Sequence, residues 1–271
     1  MARDEERAAV QAHYELGLER DRLAAGAGLV EFARTKEIVL RHLPARPCVV
    51  ADIGGGPGRY ALWLAGRGAV VRHRDLMALH VQQLSASSPA GIDSAVADAL
   101  ALALPDESVD AVLLLGPLYH LHRRADRLRA LGEARRVVRP GGPVSVAAIS
   151  RWAAGLYGVL TDQLHLQLPE VLNEVDRVEH DGVLRPLFPG SFNGFCHRPR
   201  QLAAEVRAAR LDLVDLVAVE GATAIVAGLD ARMADPREAR VVLDAALATE
   251  RVPELLGVGP HLHGRRPPTD R

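Results

Sequence analysis

Apolar and polar positions along the chain change period several times, and each change predicts an element. Residues 5–17 and 27–43 read as helices; in the second, Val30, Ala33, Ile38, Leu40 and Leu43 recur at roughly helical spacing. "LPARP" at 43–47 ends that helix, because proline cannot continue it. "CVVADI" (48–53) is a β-branched run too continuous for a half-exposed strand, which predicts a central parallel strand covered on both faces. A glycine loop then leads into a helix at 59–68. The alternation repeats: strand 69–75, helix 77–87, strand 92–98, an irregular link through Pro105, and strand 109–116. Helix 124–140, with arginines on its wet face, and strand 142–150 complete the series. Strands and helices alternating at this spacing imply right-handed βαβ crossovers and an α/β, Rossmann-like, doubly wound and mostly parallel sheet.

The regularity is lost over 151–198, where aromatics, histidines and turn residues mix without a period, as in a lid or binding insertion. Helix 199–210, strand 211–220, a turn at Gly221 and strand 222–229 follow, the two strands being near enough in sequence for an antiparallel hairpin. A helix near 236–250 and a polar, Pro/Arg-rich tail at 264–271, expected to be disordered, end the chain. The chain therefore divides into an N-terminal helical cap (1–44), a ligand-binding core (45–150), a lid insertion (151–198), the last helix and hairpin of the core (199–230) and a C-terminal helix with its tail (231–271).

"VADIGGGPG" (50–58) ends a buried strand with almost no side chain. Bare backbone between a strand and a helix N-terminus suits a polar or anionic group that approaches closely. The phosphate-binding pattern G-x-x-x-x-G-K-[ST] is excluded, since Arg59 and Tyr60 stand where Lys and Ser/Thr are needed. The dinucleotide pattern G-x-G-x-x-G fits poorly: Gly54 and Gly56 are in place, but its last position is Arg59. D-x-G-x-G-x-G is satisfied by Asp52, Gly54, Gly56 and Gly58, with Gly55 filling the loop.

That stretch resembles motif I of the class I S-adenosylmethionine-dependent methyltransferases, and later features agree in order. Asp75, followed by Leu76, closes the second strand where the family keeps an acid for the ribose hydroxyls; Asp98 and Ala99 stand at the adenine position. "VDAVLLLGPLYHL" (109–121), with Gly116, is similar to the fourth-strand motif, and "EARRVVRPGGPVSV" (133–146) to the approach to the fifth strand. The likeness covers roughly 28–150 plus the final hairpin, and implies a seven-stranded sheet with an antiparallel last strand and S-adenosylmethionine as methyl donor, S-adenosylhomocysteine as product. Under it, the glycines let the methionyl and ribose portion lie on backbone, and Asp52 orients the loop and attracts the methionine ammonium. Asp75 takes the ribose hydroxyls by charge-assisted hydrogen bonds; the plainer alternatives are helix caps at Asp75 and Asp98. Tyr14, Arg34 and Thr35 are candidates to cover the methionine end, Arg34 by pairing with its carboxylate, against the default of a surface arginine.

The acceptor is less legible. "GPLY" (116–119) stands where methylases of exocyclic nucleobase or glutamine nitrogens carry N/D-P-P-Y/F, and lacks the side chain that accepts the amino hydrogens. "YELGLERDRL" (14–23), "HRPRQLAAEVRAARL" (197–211) and "ERVPELLGVGPHL" (250–262) are similar to a group of actinomycete-type small-molecule methyltransferases, which implies a small-molecule acceptor methylated on N or O, with a nucleic-acid or protein methylase, or a donor-binding non-catalytic module, as alternatives. Base candidates follow the fourth strand at Tyr119, His120 and His122, with His120 first, and His197 is a second from the lid. Arg151, Trp152, Tyr157, His165, Phe192, Asn193 and Phe195 are candidates for an acceptor pocket, Arg151 through an acceptor carboxylate; a satellite core under the lid is the alternative reading. With aromatics at only 4% of residues, their concentration in "FPGSFNGFCH" (188–197) stands out.

Composition narrows the partners. The net charge of −1 gives neither nucleic acid nor a membrane surface electrostatic support. Cys48 and Cys196 lie far apart without metal-ligand spacing, and "HLH" (261–263) lacks identifiable partners, so no metal is expected. Reduced cysteines and a charged N-terminus without an apolar core predict a cytoplasmic enzyme, with a homodimer left open.

Overall fold

The computed structural model describes residues 3–17, 19–87, 90–188 and 190–265. Its elements run α1 (Arg3–Glu15), α2 (Glu19–Arg22), α3 (Ala27–Leu40), β1 (Val49–Ile53), α4 (Arg59–Gly66), β2 (Val70–Asp75), α5 (Ala78–Ala86), β3 (Ile92–Val96), β4 (Ala111–Leu114), α6 (Arg124–Val137) and β5 (Val144–Ser150). They continue with α7 (Val171–Asp181), β6 (Val183–Leu184), β7 (Gly194–His197), α8 (Pro199–Ala208), β8 (Asp215–Ala218), α9 (Leu229–Ala234), α10 (Pro236–Thr249) and β9 (His261–Arg265). A 3₁₀ turn at Pro117–His120 and a π-helical stretch at Ala154–Thr161 lie between them. Among the described residues, no helix is long and apolar enough to cross a membrane.

The chain forms two compact units. One holds Arg41–Ala147 and Ala203–Asp215, with the chain from Gly264. In it β1 pairs in parallel with β2 and β4, β2 with β3, and β4 with β5. Val50, Ala51, Ile53 and all four residues of β4 are buried, as the unbroken apolar runs predict for strands covered on both faces. Helix α4 buries Tyr60, Ala61 and Leu64, and α6 buries Ala130, Leu131, Ala134 and Val137. One departure matters on α6. Arg127, expected on the wet face, is 1% exposed and forks onto Glu205 of α8 (2.8 and 2.7 Å). Periodicity places it on the inner face; a carboxylate brought from far along the chain makes that tolerable.

The other unit holds the chain to Leu40 together with Ala148–Leu202 and Leu216–His263. Here Ile149 and Ser150 pair in parallel with Cys196 and His197, and β6 lies antiparallel to β7. Val30 packs with Leu229 and Val242, and Ile38 with Val217 and Val219. The hairpin expected from 211–220 and 222–229 is absent. Residues Gly221–Ile225 form a 3₁₀ turn, closed by the Thr223 hydroxyl donating to the Glu220 carbonyl at 2.6 Å, and Gly228, at φ 69°, starts α9. The partner of β8 is instead β9: the Val219 amide donates to the His261 carbonyl at 3.0 Å. Residues 264 and 265, assigned to a disordered tail, belong to β9, while 266–271 lie outside the described residues.

Candidate functional site

The glycine loop begins where Asp52 and Ile53 end β1. Gly54, Gly56 and Gly58 have φ of 65°, 57° and 86°, a region that residues with a Cβ rarely occupy. Space excludes side chains as well. A Cβ on Gly54 would sit 2.6 Å from Pro117 Cδ, and one on Gly55 would sit 2.6 Å from both Asp52 Oδ2 and His73 Cδ2. Gly116 meets the same limit from the opposite side, its Cβ position lying 2.8 Å from the Gly54 carbonyl. Two loops thus touch backbone to backbone, and α4 begins at Gly58 with no side-chain cap on its first amides.

Asp52 is 1% exposed and, among the described residues, neither carboxylate oxygen has a well-formed hydrogen bond, the Ala61 amide being the one donor of note. Burial raises its pKa to about 7, the nearby charge of Asp75 adds to the rise, and the Ala61 amide in the first turn of α4 offsets only part. Asp75 is buried but well satisfied. It accepts from the Gly56 amide (2.8 Å), the Met77 amide (2.8 Å) and His80 Nδ1 (3.0 Å). Burial opposes its ionisation, yet His80 and the two amides outweigh that and hold its pKa below the ordinary carboxylate value. Asp75 therefore ties the glycine loop to β2 and, through the Met77 amide and the His80 ring, to the start of α5. Leu76 beside it is half-buried. Asp98 accepts from the Leu100 amide at 2.9 Å, and with Ala99 is half-buried just beyond β3.

Beyond β4, Tyr119 is buried and its hydroxyl points back to Gly116, 3.7 Å from that residue's Cβ position; the half-buried His120 ring stands edge-on to it at 4.7 Å. Arg127 fixes this loop by donating to the carbonyls of Leu121 and His122, both at 2.8 Å. Asp52, the glycines, Asp75, Asp98, Gly116, Tyr119 and His120 all belong to the same unit, at the carboxyl ends of β1, β2, β3 and β4, where open α/β sheets bind ligands.

Comparison with known proteins places this arrangement. Residues 51–146 match the methyltransferase domain family. The fold is shared with S-adenosylmethionine-dependent methyltransferases of known structure. A curated relative, the ubiquinone/menaquinone biosynthesis C-methyltransferase UbiE of Acidiphilium cryptum, is 38% identical over 122 residues, 43% of this chain and 48% of the relative, so the match spans about half of that protein's length. Among solved structures, the Burkholderia thailandensis 1,6-didemethyltoxoflavin-N1-methyltransferase, crystallised with its acceptor and S-adenosylhomocysteine, is 18% identical over 100% of this chain and 92% of its own, with a TM-score of 0.57. An S-adenosylmethionine-dependent methyltransferase from Mesorhizobium loti is 17% identical over 87% of this chain and 98% of its own, with a TM-score of 0.58. At such identities the likeness is one of fold.

The site fits S-adenosylmethionine, the donor named for the structural relatives. The glycine cradle is kept bare by contacts on its inner side, α4 starts at a glycine that offers no side-chain cap, and Asp52 places a buried carboxyl beside them that an approaching cation would ionise. His73, which the sequence reading did not single out, lies under the same loop.

In the other unit, two candidates have different work from that expected. Arg34 is fully buried, and its guanidinium is spent on Glu250, Glu37 and the Val219 carbonyl. It serves the packing of α3, not a carboxylate of the donor. Arg151 turns away from the end of β5 to donate to the carbonyls of Cys196 (2.8 Å), Glu179 and His180, and to Gln201 (3.0 Å), closing the C-terminus of α7. That corrects its assignment to an acceptor carboxylate. Tyr14 lies on α1 beside His13, which stacks edge-on with Phe192 at 5.4 Å. Thr35 is buried on α3. Trp152 packs over Gly257, and the Tyr157 hydroxyl donates to the Val258 carbonyl at 3.1 Å. Phe195 and the fully buried His197 stand ring to ring at 4.8 Å on β7. Asn193 is 1% exposed, and neither of its side-chain polar atoms has a hydrogen-bond partner. Glu31, Glu220 and His261 also converge within 4.8 Å. Arg22 donates twice to Glu31 and His261 donates to Glu220 at 2.7 Å, so the two carboxylates are matched by two cationic partners.

Proposed function

We propose that the protein transfers a methyl group from S-adenosylmethionine to a small-molecule acceptor. The observation that carries this reading is the bare, positively-φ glycine loop beside a buried carboxylate without a well-formed hydrogen bond. Gly54, Gly55, Gly56 and Gly58, with Gly116, leave room for the donor on backbone, and Asp52 meets its ammonium. Asp75 has three donors on its two oxygens and retains capacity for one ribose hydroxyl; Leu76, Asp98 and Ala99 border the adenine. The donor supplies an electrophilic methyl on a sulfonium. What the chain adds is alignment of acceptor, carbon and sulfur, and exclusion of water. As the acceptor bonds to the methyl, the carbon–sulfur pair returns to sulfur, and an N–H or O–H acceptor gives its proton to a base. His120 is the base of this reading, held beside Tyr119 in the loop that Arg127 fixes.

A metabolite is favoured over nucleic acid by the near-neutral charge and by Gly116-Pro117-Leu118-Tyr119, which has no amide-accepting side chain at its first position. Phe192, Asn193, Phe195 and His197 remain the acceptor candidates of the lid, Asn193 for its unmet hydrogen-bonding capacity. The named chemistry of the 38% identical relative adds carbon to nitrogen and oxygen as the atom methylated. Titration calorimetry with S-adenosylmethionine and S-adenosylhomocysteine tests the donor half, and transfer of a labelled methyl group to a panel of phenols, amines and activated carbon acids tests the acceptor half. Failure to bind either nucleoside would sink the proposal.

A further inference from the structure

The row of side chains beneath the glycine loop has an order that the strand register imposes. In the parallel pairing of β1 with β2, Asp52 stands opposite His73; in that of β2 with β3, His73 stands opposite Ser94. Partners at one register position project to the same side of a sheet. The three form a polar row across three strands, under Gly55 and Gly56. His73 is fully buried, yet both of its ring nitrogens are engaged: Nε2 lies 3.0 Å from the Gly56 carbonyl and Nδ1 lies 2.8 Å from Ser94 Oγ.

The partners determine the proton. A carbonyl can only accept, so Nε2 carries the hydrogen. Burial disfavours the imidazolium, and the nearby His80 and Arg74 act in the same direction, outweighing Asp75 and the Gly56 carbonyl. Nδ1 is therefore bare and accepts from the Ser94 hydroxyl. On the other side of the same residue, the Gly56 amide donates to Asp75. Gly56 is thus held at both its N–H and its C=O, so both flanking peptide planes are fixed although its φ of 57° is open to a freely turning glycine.

We infer that His73, oriented by Ser94, is a positioning residue of the donor site that latches the glycine loop through the Gly56 carbonyl and keeps its backbone in the conformation that receives the donor. The inference rests on the donor reading above. A preorganised loop binds more tightly because its ordering cost is met before the ligand arrives. Loss of one buried hydrogen bond from the latch should weaken donor binding about tenfold.

The experiment has two independent readouts. In wild-type protein labelled at histidine ring nitrogens, long-range proton–nitrogen correlation should show a neutral Nε2–H tautomer at pH 7, assigned to His73 by its loss in His73→Gln. An Nδ1–H tautomer or an imidazolium would overturn the latch whether or not the protein binds a donor. Titration with S-adenosylhomocysteine should then give a Kd raised about tenfold in His73→Phe and restored to within about threefold in His73→Gln, whose amide N–H occupies the place of Nε2–H. If His73→Phe does not fold, the glutamine variant and the ring spectra decide. Unchanged affinity in a folded His73→Phe would remove the inference and leave the donor site standing; absence of binding by the wild type would remove the donor reading itself.

Discussion

Asp52→Asn separates stability from function in opposite directions. The carboxyl is 1% exposed and its pKa stands at about 7 against an ordinary 3.8. A raised carboxyl pKa means that folding disfavours the ionised form. Below the unfolded value both states are protonated and there is no penalty; between about pH 4 and 7 the penalty grows, and above 7 it is complete. About three pH units at 1.36 kcal/mol each amount to roughly 4 kcal/mol of destabilisation at pH 8. The amide is isosteric and uncharged, but its NH2 meets no partner, which costs about 1–3 kcal/mol. The net expectation is a variant about 2 kcal/mol more stable than the wild type at pH 8, an advantage that falls to zero near pH 5 and becomes a deficit of about 1–3 kcal/mol at pH 4, where the wild-type carboxyl carries no penalty and the amide still lacks a partner. Urea unfolding followed by circular dichroism from pH 4 to 8.5 measures this difference. The same substitution should weaken S-adenosylmethionine at least tenfold in calorimetry, because a buried charge partner is gone. A difference in stability that is flat with pH, or that favours the wild type at pH 8, would refute the account of Asp52 as an unpaired buried carboxylate.

Gly54→Ala adds a Cβ 2.6 Å from the Pro117 ring at a φ of 65°, and should cost about 2 kcal/mol in stability and abolish measurable donor binding by calorimetry. Arg127→Met leaves Glu205 buried without its partner, and thermal melts should report a loss of about 3–5 kcal/mol. His120→Ala should lose turnover while donor affinity is kept; unchanged turnover with an N–H or O–H acceptor would remove His120 as the base. His261 is held between Glu220 and Glu31: burial opposes its charge, but the two carboxylates prevail and raise its pKa from 6.5 to about 9. Stability from this pair is complete below pH 6.5 and is lost as pH rises through 9, on the order of 2–3 kcal/mol since 15% of the side chain still reaches solvent. His261→Gln should therefore approach wild-type stability near pH 9.5, as urea midpoints from pH 6 to 9.5 will show.

What the chain reveals without coordinates is unevenly spread. The five parallel strands and their crossover helices could be read from unbroken apolar runs and from glycine placement, because those signals are local. The donor loop could be read for the same reason: D-x-G-x-G-x-G lies within one turn. His73 could not, since its meaning comes from register, and nothing in "VVRHRD" says that Ser94 will stand opposite it. The arginines misled because their partners are distant in sequence. Arg34 finds Glu250, Arg127 finds Glu205 and Arg151 finds the end of α7, and each is buried by a contact that periodicity cannot anticipate. The missing hairpin failed similarly. "ATAIVAGL" is apolar enough for a strand, but β8 had a better partner in β9.

That substitution of partners has a consequence for how such a chain can vary. The stretch from Glu220 to Pro260 leaves from the end of β8 and returns to the start of β9, where the Val219 amide meets the His261 carbonyl at 3.0 Å. An excursion whose two ends are already joined can be lengthened, shortened or exchanged with little change in closure entropy, about 0.6 kcal/mol for each doubling of its length. It is built as a cassette. Descendants of this sequence could alter the outer faces of α9 and α10, provided that Leu229 and Val242 stay packed on Val30, the Glu250 carbonyl keeps the Ala218 amide of β8, and Glu220 and Glu250 keep His261 and Arg34.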